Sequence, residues 1–553
     1  GLHECQWLNK FELNGKDRLW FGVFCDGEPD MTEEEQPVDL WGGKRTVTGI
    51  SLPPNNRMFG SLPPEIRHLK YLKALHIQQE PTLVGTIPFQ YSALKHLQLL
   101  ALMDTSLSGP IPREFARLEK MEHLMLQGNQ LTADTKKRDL DFLQKMTSLA
   151  SIQLDDNPKI GGTLPDIAVS NLKNLKVLSL PNCGFYGPLP SGMSMLKELA
   201  VLNLEENSFT GDIDMIMGLT NLQVIYLENN KFDGTFDDTH FGELTNLIRL
   251  DVSNNQFKGA VPRQLFNLSS LVVVDMSLNN MTLELPSEEY FSSLNGPPSK
   301  LEFLSLHSNS IRGTIPTAIG RLKNLTMLDL SINEFTGDIP SEIDQLEELN
   351  ILFLGNNKFN EAPMPEWIRN MTHLTELMLQ GSSLNETIPE WLGELTDLTF
   401  LDLGGNNLAD TIPQSLGNLT QLMVLILNEN RLEGELGLGE LAKLETIIID
   451  DNDLTGNTNA MCEHHVQFFI SDCGTNLTLG VNPELNCTCC NLCCYDGNPE
   501  CNDRKWFGNH AAKKEYGYGE RTYWDFGGNA GIDALFDYNG FQDLLEDLGL
   551  LKK

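Results

Sequence analysis

No stretch of about 18 consecutive apolar residues occurs in the chain, so nothing in it reads as a membrane-crossing helix. Basic residues are scarce: 40 Lys and Arg stand against 76 Asp and Glu, a formal net charge of −36. Such an acid excess repels phosphate backbones and anionic membranes. It argues against nucleic acid as a partner and favours cations, basic peptides or a hydrated matrix. Catalytic signatures are missing too. There is no G-x-S-x-G elbow, no H-E-x-x-H pair and no phosphate-cradling glycine loop, and the eleven histidines are scattered. The expectation is therefore no enzyme, no cofactor and no metal. No charged n-region or apolar h-region leads the chain from Gly1, so any signal peptide is expected to be already absent.

What the 553 residues do contain is a period. The segments "LKVLSLPNCGFYGPLP" (175–190), "LTMLDLSINEFTGDIP" (325–340) and "LMVLILNENRLEGELG" (422–437) align on L-x-x-L-x-L-x-x-N/C-x-L/F-x-G. The glycine recurs at Gly60, Gly85, Gly109, Gly162, Gly187, Gly211, Gly234 and Gly259. It returns at Gly313, Gly337, Gly434 and Gly456, mostly in steps of 23 to 25 residues. About seventeen turns fit between Val47 and Gly456. This pattern resembles the plant-type leucine-rich-repeat family with its G-x-I-P signature. The resemblance implies an α/β repeat solenoid, a superhelix with short parallel strands on its concave face, disulfide-capped at both ends. Its organisation would be an N-terminal cysteine cap (1–46), the solenoid (47–460), a cysteine-rich C-terminal cap (461–503) and a docking tail (504–553).

Elementary chemistry supports that reading. Leucines at positions 1, 4 and 6 point inward, the asparagine bonds neighbouring turns in a ladder, and Gly and Pro end each strand's exit. No turn can bury its apolar side alone, so stability comes from stacking. With strands about 4.8 Å apart, seventeen turns would run on the order of 80 Å. Two longer repeats, at 133–146 and 286–300, are expected to form surface loops.

The eleven cysteines divide cleanly. Cys183 occupies the ladder position of its repeat and is expected to be a buried free thiol. Cys462, Cys473, Cys487, Cys489, Cys490, Cys493, Cys494 and Cys501 cluster where the repeats stop. Metal binding is the rival, through Cys489 or Cys490 with Cys493 and His464 or His465. Eight N-x-S/T sequons, at Asn267, Asn280, Asn324, Asn370, Asn385, Asn418, Asn476 and Asn486, argue instead for an oxidising compartment, N-linked glycans and disulfides. The C-x-C-C-x-x-C-C run also resembles the C-terminal cap of extracellular leucine-rich-repeat proteins of diatoms and related algae. "LWFGVFC" (19–25) resembles the end of the plant-type N-terminal cap, which implies a Cys5–Cys25 bridge, although residues 8–19 break the usual spacing.

The partner-binding expectation falls on the concave face. Asp155, Asp156, Glu205, Glu206 and Glu228, with Tyr226, form its acidic half and would meet a basic protein or peptide. Phe353, Met378, Phe400 and Ile426, with Ile448, form an apolar half. On an open face such a patch implies a protein contact. In the tail, Trp506, Phe507, Tyr516, Tyr518, Tyr523, Trp524 and Phe526 are candidates for docking on the solenoid or on a neighbouring copy. "DYNGFQDLLE" (537–546) matches an EF-hand loop only partly, since Leu535 occupies its first ligand position. The expected protein is a non-enzymatic, extracellular interaction scaffold, secreted or at the cell surface. A self-assembling filament subunit is the alternative.

Overall fold

The computed structural model describes residues 23–25, 47–52, 58–133, 140–236, 241–287, 289–290, 300–438, 441–458, 466–473, 485–490 and 492–493. They form two compact units that divide between Gly234 and Thr235. Cys5, Cys462, Asn476, Cys494, Cys501, the partial EF-hand, the tail, residues 134–139 of the first insertion and most of the 286–300 insertion lie outside the described residues.

In the first unit Val23–Cys25 runs antiparallel to Val47–Leu52 and covers the sheet's starting edge. Every later strand is parallel to its neighbour: Ala74–Thr86, Leu99–Gly109, His123–Met125, Ser151–Gln153, Val177–Ser179, Val201–Asn203 and Val224–Tyr226. The register sets like residues side by side, with Leu100 beside Leu124, Ile152 beside Leu178 and Leu202 beside Ile225. Behind the strands, Phe185, Phe209 and Phe232 stack at centroid distances of 6.1 and 6.0 Å, one ring per turn.

The second unit repeats the plan with strands Arg249–Asp251, Val273–Asp275, Phe303–Ser305, Met327–Asp329 and Ile351–Phe353. Glu376–Met378, Phe400–Asp402, Val424–Ile426 and Thr446–Ile448 follow. The sheet runs on into the cysteine-rich segment, where Phe468–Ser471 and Leu492–Cys493 add two parallel strands.

One turn shows how the sequence builds this. Leu325, Leu328 and Leu330 point inward and are fully buried, because alternate strand residues face opposite ways. After the strand, Asn333 turns its carboxamide inward. Its Nδ2 donates to the Leu306 and Leu330 carbonyls at 2.9 and 3.2 Å, and its Oδ1 accepts from the Ile311 amide at 3.0 Å. Gly337 follows at φ +79°, where a Cβ would sit 2.9 Å from the Thr314 methyl. Pro340 at φ −69° then starts the 3₁₀ helix Ser341–Gln345, which lays Ile343 on the core.

Cys183 is buried and unbridged, its thiol donating to the Leu154 carbonyl at 3.1 Å in place of an asparagine. Burial raises its pKa well above the usual thiol value, so it stays protonated and unreactive. At the far end Cys473–Cys493 and Cys487–Cys490 are disulfides, and Cys489 is disulfide-bonded as well. The sulfurs of Cys473, Cys487 and Cys490 lie within 4.8 Å of one another. The thiolates a zinc ion would need are therefore consumed in S–S bonds.

The ladder generates a prediction. Asn333→Ala leaves the buried Ile311 amide without its acceptor and removes one of the two donors to the Leu306 carbonyl, at about 1–3 kcal/mol of stability. Denaturant unfolding should show that loss, whereas Asn360→Ala, on the exposed flank, should be nearly silent.

Candidate functional site

The outward side of each sheet is carried by the third and fifth repeat positions, which flank the inward second leucine. In the first unit this face is mixed, with buried Ala74, Leu99, Ala101, Met125, Val201 and Val224 among polar residues. His76, Gln153 and Ser179 are buried there, while Asn203 and Tyr226 are half-buried. Burial holds His76 neutral, its pKa lowered to about 4, and its Nδ1 lies 2.9 Å from the Ser51 hydroxyl.

The acids collect just past the strands. Asp155, Glu205 and Glu228 occupy the seventh position and are half-buried. Asp104, Asp156 and Glu206 occupy the eighth and are exposed. All three eighth-position acids adopt left-handed backbone, at φ 52°, 54° and 53°. That conformation is forced because their amides turn to the next turn's carbonyls, as Asp156 N does to Pro181 O at 3.0 Å. The carboxyls therefore line two columns, in which Glu205 and Glu228 sit on adjacent turns while Asp104, Asp156 and Glu206 sit two turns apart with Gly128 and Asn182 between them. Burial pushes Asp155 up to about 6, with Glu205 and Asp156 adding repulsion. Asp104 is also raised, by burial and then by Asp156. Like charges about 10 Å apart, two strand spacings, repel by roughly 0.4 kcal/mol in water. Asp104 shares the eighth-position register of Asp156 and Glu206 and joins the expected acids through the same repeat alignment.

The second unit's outward face differs. The aspartates at the fifth position are structural. Asp275, Asp329 and Asp402 are buried, and each accepts the amide two residues on, at 2.9 Å. Burial raises Asp275 and Asp329 above the usual carboxyl range. Around them runs one continuous apolar cluster: Val273, Phe303, Met327, Ile351, Phe353, Met378, Phe400, Val424, Ile426, Ile448 and Ile470.

This corrects the expectation of an open apolar patch. Phe353 is 9% exposed, Met378 4%, Phe400 5%, Ile426 1% and Ile448 3%. These side chains are packed rather than presented to solvent, partly because successive strands bring them into columns. Phe353 and Phe400, for example, lie 6.1 Å apart. The third-position residues Val273, Phe303, Met327, Ile351 and Val424 join Phe400 in the same cluster, because the third and fifth positions face the same side of the sheet.

Beyond them, Asp450 is pushed up to about 7 by burial, with Asp472, Asp451 and Glu429 nearby. Its Oδ1 is buried without a hydrogen bond.

The sequons avoid the outward strand positions. Asn267, Asn370 and Asn418 each end a 3₁₀ helix and are exposed, as are Asn280, Asn324 and Asn486; Asn385 is half-buried.

Parallel strands stacked turn on turn, with an asparagine ladder inside and a 3₁₀ helix behind most turns, define the class: a repeat solenoid. A family profile described as a leucine-rich repeat region matches residues 296–398, and a leucine-rich repeat profile matches 246–268 and 397–419. Receptor-like protein EIX1 of Solanum lycopersicum is 30% identical over 311 residues, covering 54% of this chain and 29% of that protein. The chain spans about a third of the length of the plant receptor-like proteins it matches. A solved TDR receptor superposes with a TM-score of 0.61 at 27% identity, covering 74% of this chain and 75% of that one. The leucine-rich-repeat ectodomain of the Arabidopsis receptor kinase HAESA, in complex with an N-terminally extended IDA peptide hormone, gives a TM-score of 0.52 at 27% identity. That match covers 75% of this chain and 80% of that one. The matched repeats are leucine-rich repeats, and the proteins and solved structures they resemble are plant receptor-like proteins and receptor ectodomains. No described helix is long and apolar enough to cross a membrane.

Asp450 generates a pH prediction. A carboxyl whose folded pKa is raised binds its proton more tightly when folded, so its contribution to stability is greatest below about pH 4. That contribution is lost as pH rises through about 7. Asp450→Asn should therefore flatten the fall in stability between those limits and leave the variant at least as stable as the parent at pH 8. Denaturant midpoints across that range would show it.

Proposed function

We propose that this chain is a non-enzymatic extracellular interaction module that recognises a basic protein or peptide through the acid columns of its first unit. The observation that carries this reading is the crowding of Asp104, Asp155, Asp156, Glu205 and Glu206 at the strand exits. No ion pair among the described residues neutralises them. A cationic segment laid across the columns relieves repulsion that the free protein carries, and the surrounding −36 charge steers it there. The peptide-bound HAESA ectodomain supports the same mode of use for this fold. Tyr226, half-buried at the end of the columns, supplies an aromatic edge to such a groove. No observation on the described residues favours the filament alternative.

The test uses an extended Lys/Arg-rich peptide as probe and a Glu-rich peptide as control. Replacing Asp155 and Asp156 by Asn and Glu205 and Glu206 by Gln should weaken basic-peptide binding at least about tenfold, since each lost charge contact contributes on the order of 0.5–1 kcal/mol. Affinity should also fall with added salt. Equal binding by parent and variant would overturn the assignment.

N-linked glycans on the exposed sequons form part of this reading. Peptide mass spectrometry of protein from a eukaryotic secretory host should find Asn267, Asn370 and Asn418 occupied more fully than half-buried Asn385.

A further inference from the structure

We infer that the strand-entry edge of the first unit binds a linear acidic polysaccharide, one that bears carboxylates or sulfates along its length. The inference rests on the extracellular reading above and not on the basic ligand proposed for the acid columns.

The basic residues of this chain are few and unevenly placed. Six residues lead into each strand and end at the repeat's second position. Over the seven turns from Leu72 to Leu222 these stretches hold nine Lys and Arg against three acids. Over the nine turns from Leu247 to Leu444 they hold four against eight. A protein of net charge −36 thus carries a local surplus of cations on one edge of one unit. No N-x-S/T sequon precedes Asn267, so the edge itself carries no N-linked glycan.

Register sorts these cations into rows. Lys70 and Lys95, on adjacent turns, and Lys173 and Lys197, on adjacent turns, share the position two residues before the first leucine, and all four are exposed. Between the two pairs Glu119 and Thr147 hold that position, and exposed Arg117, Lys120 and Lys145 supply the cations from beside it. Lys73 and Lys176 add charge at the second position. Parallel pairing sets neighbouring turns about 4.8 Å apart, so the strip runs roughly 24 Å along the stack. Two amines are tethered in place: Lys95 Nζ donates to the Arg117 carbonyl at 2.9 Å and Lys197 Nζ to the Gly218 carbonyl at 3.0 Å. A carbonyl positions an amine without cancelling its charge. None of these side chains joins an ion pair among the described residues. Tyr71, 55% exposed, stacks on His96 with 5.7 Å between ring centroids and sets an aromatic face among the cations.

The shape of the charge selects the partner. Acids at the seventh and eighth positions, Asp155 and Glu206 among them, begin five residues beyond the second position, about 16 Å along an extended chain. A folded acidic domain, a nucleic-acid duplex or an anionic membrane is broad enough to set its own charge against those acids too. A single linear polyanion is narrow enough to follow the cation rows alone. Among such polymers, acidic polysaccharides are what the surroundings of an extracellular protein supply, and their rings can stack on an exposed tyrosine face.

The experiment measures binding of the full-length secreted protein to alginate oligosaccharides and to dextran sulfate, with neutral dextran and single-stranded DNA as comparisons. At least one acidic glycan should bind, more weakly as salt is added, and which one it is assigns carboxylate or sulfate. Neutral dextran should not bind. Lys70→Gln, Lys95→Gln, Lys173→Gln and Lys197→Gln together should weaken glycan binding at least about tenfold and leave basic-peptide binding unchanged. Arg321→Gln with Lys323→Gln, in the same stretch of a second-unit turn, should leave both unchanged. Should the fourfold variant unfold, Lys70→Gln with Lys173→Gln serves, since neither amine makes a hydrogen bond among the described residues. Equal glycan binding by parent and variant would overturn the assignment, as would single-stranded DNA bound in preference to both glycans. Self-association of the parent that the lysine variant loses, without glycan binding, would overturn it in favour of a second copy. Replacing the acids of the columns should leave glycan affinity intact, so the two proposals fail separately.

Discussion

A turn of this chain brings three inward leucines and has nothing of its own to bury them against, so each turn depends on the next. The asparagine ladder makes that dependence directional. Asn279 donates to the Val252 carbonyl one turn back at 3.0 Å and accepts the Phe257 amide at 2.9 Å, and Asn357 repeats the arrangement with Leu330 and Phe335. These groups are buried, and leaving them unpaired costs more than pairing them gains. Register is therefore locked turn by turn, which sets every outward side chain in a column with its counterparts.

Columns turn single residues into surfaces. One acid past a strand is an ordinary solvated group. Asp155 and Asp156 with Glu205 and Glu206 two turns on become a strip, and within it burial and its acid neighbours make Asp155 hold its proton more tightly. One isoleucine between two leucines is likewise unremarkable to the backbone. Ile426, Ile448 and Ile470 in adjacent strands become a continuous apolar stripe. The same periodic scaffold thus carries a charged exit edge in one unit and a buried apolar face in the other. Cys183 shows how tolerant the inner frame is. A thiol replaces an asparagine because one donor to the preceding turn suffices there.

Much of this was legible beforehand. The spacing of leucine, asparagine, glycine and proline is a local code, and the strands, the ladder and the buried Cys183 follow from it. Disulfides at Cys473, Cys487, Cys489, Cys490 and Cys493 were likewise readable from clustering where the repeats end. Less legible was the extent of the sheet. Phe468–Ser471 and Leu492–Cys493 continue it through a segment that has lost the repeat's consensus, because backbone pairing asks only for an extended strand in register.

The periodic sequence by itself determined which way each side chain points, since alternation in a strand and a fixed turn length leave no other choice. Tertiary structure alone decided what each outward side chain meets. Phe353 and Met378 read as exposed residues of an open face and are buried. Asp155 reads as a surface acid and holds a pKa of about 6. Exposure and proton affinity depend on neighbours some 24 residues away. No local pattern encodes either.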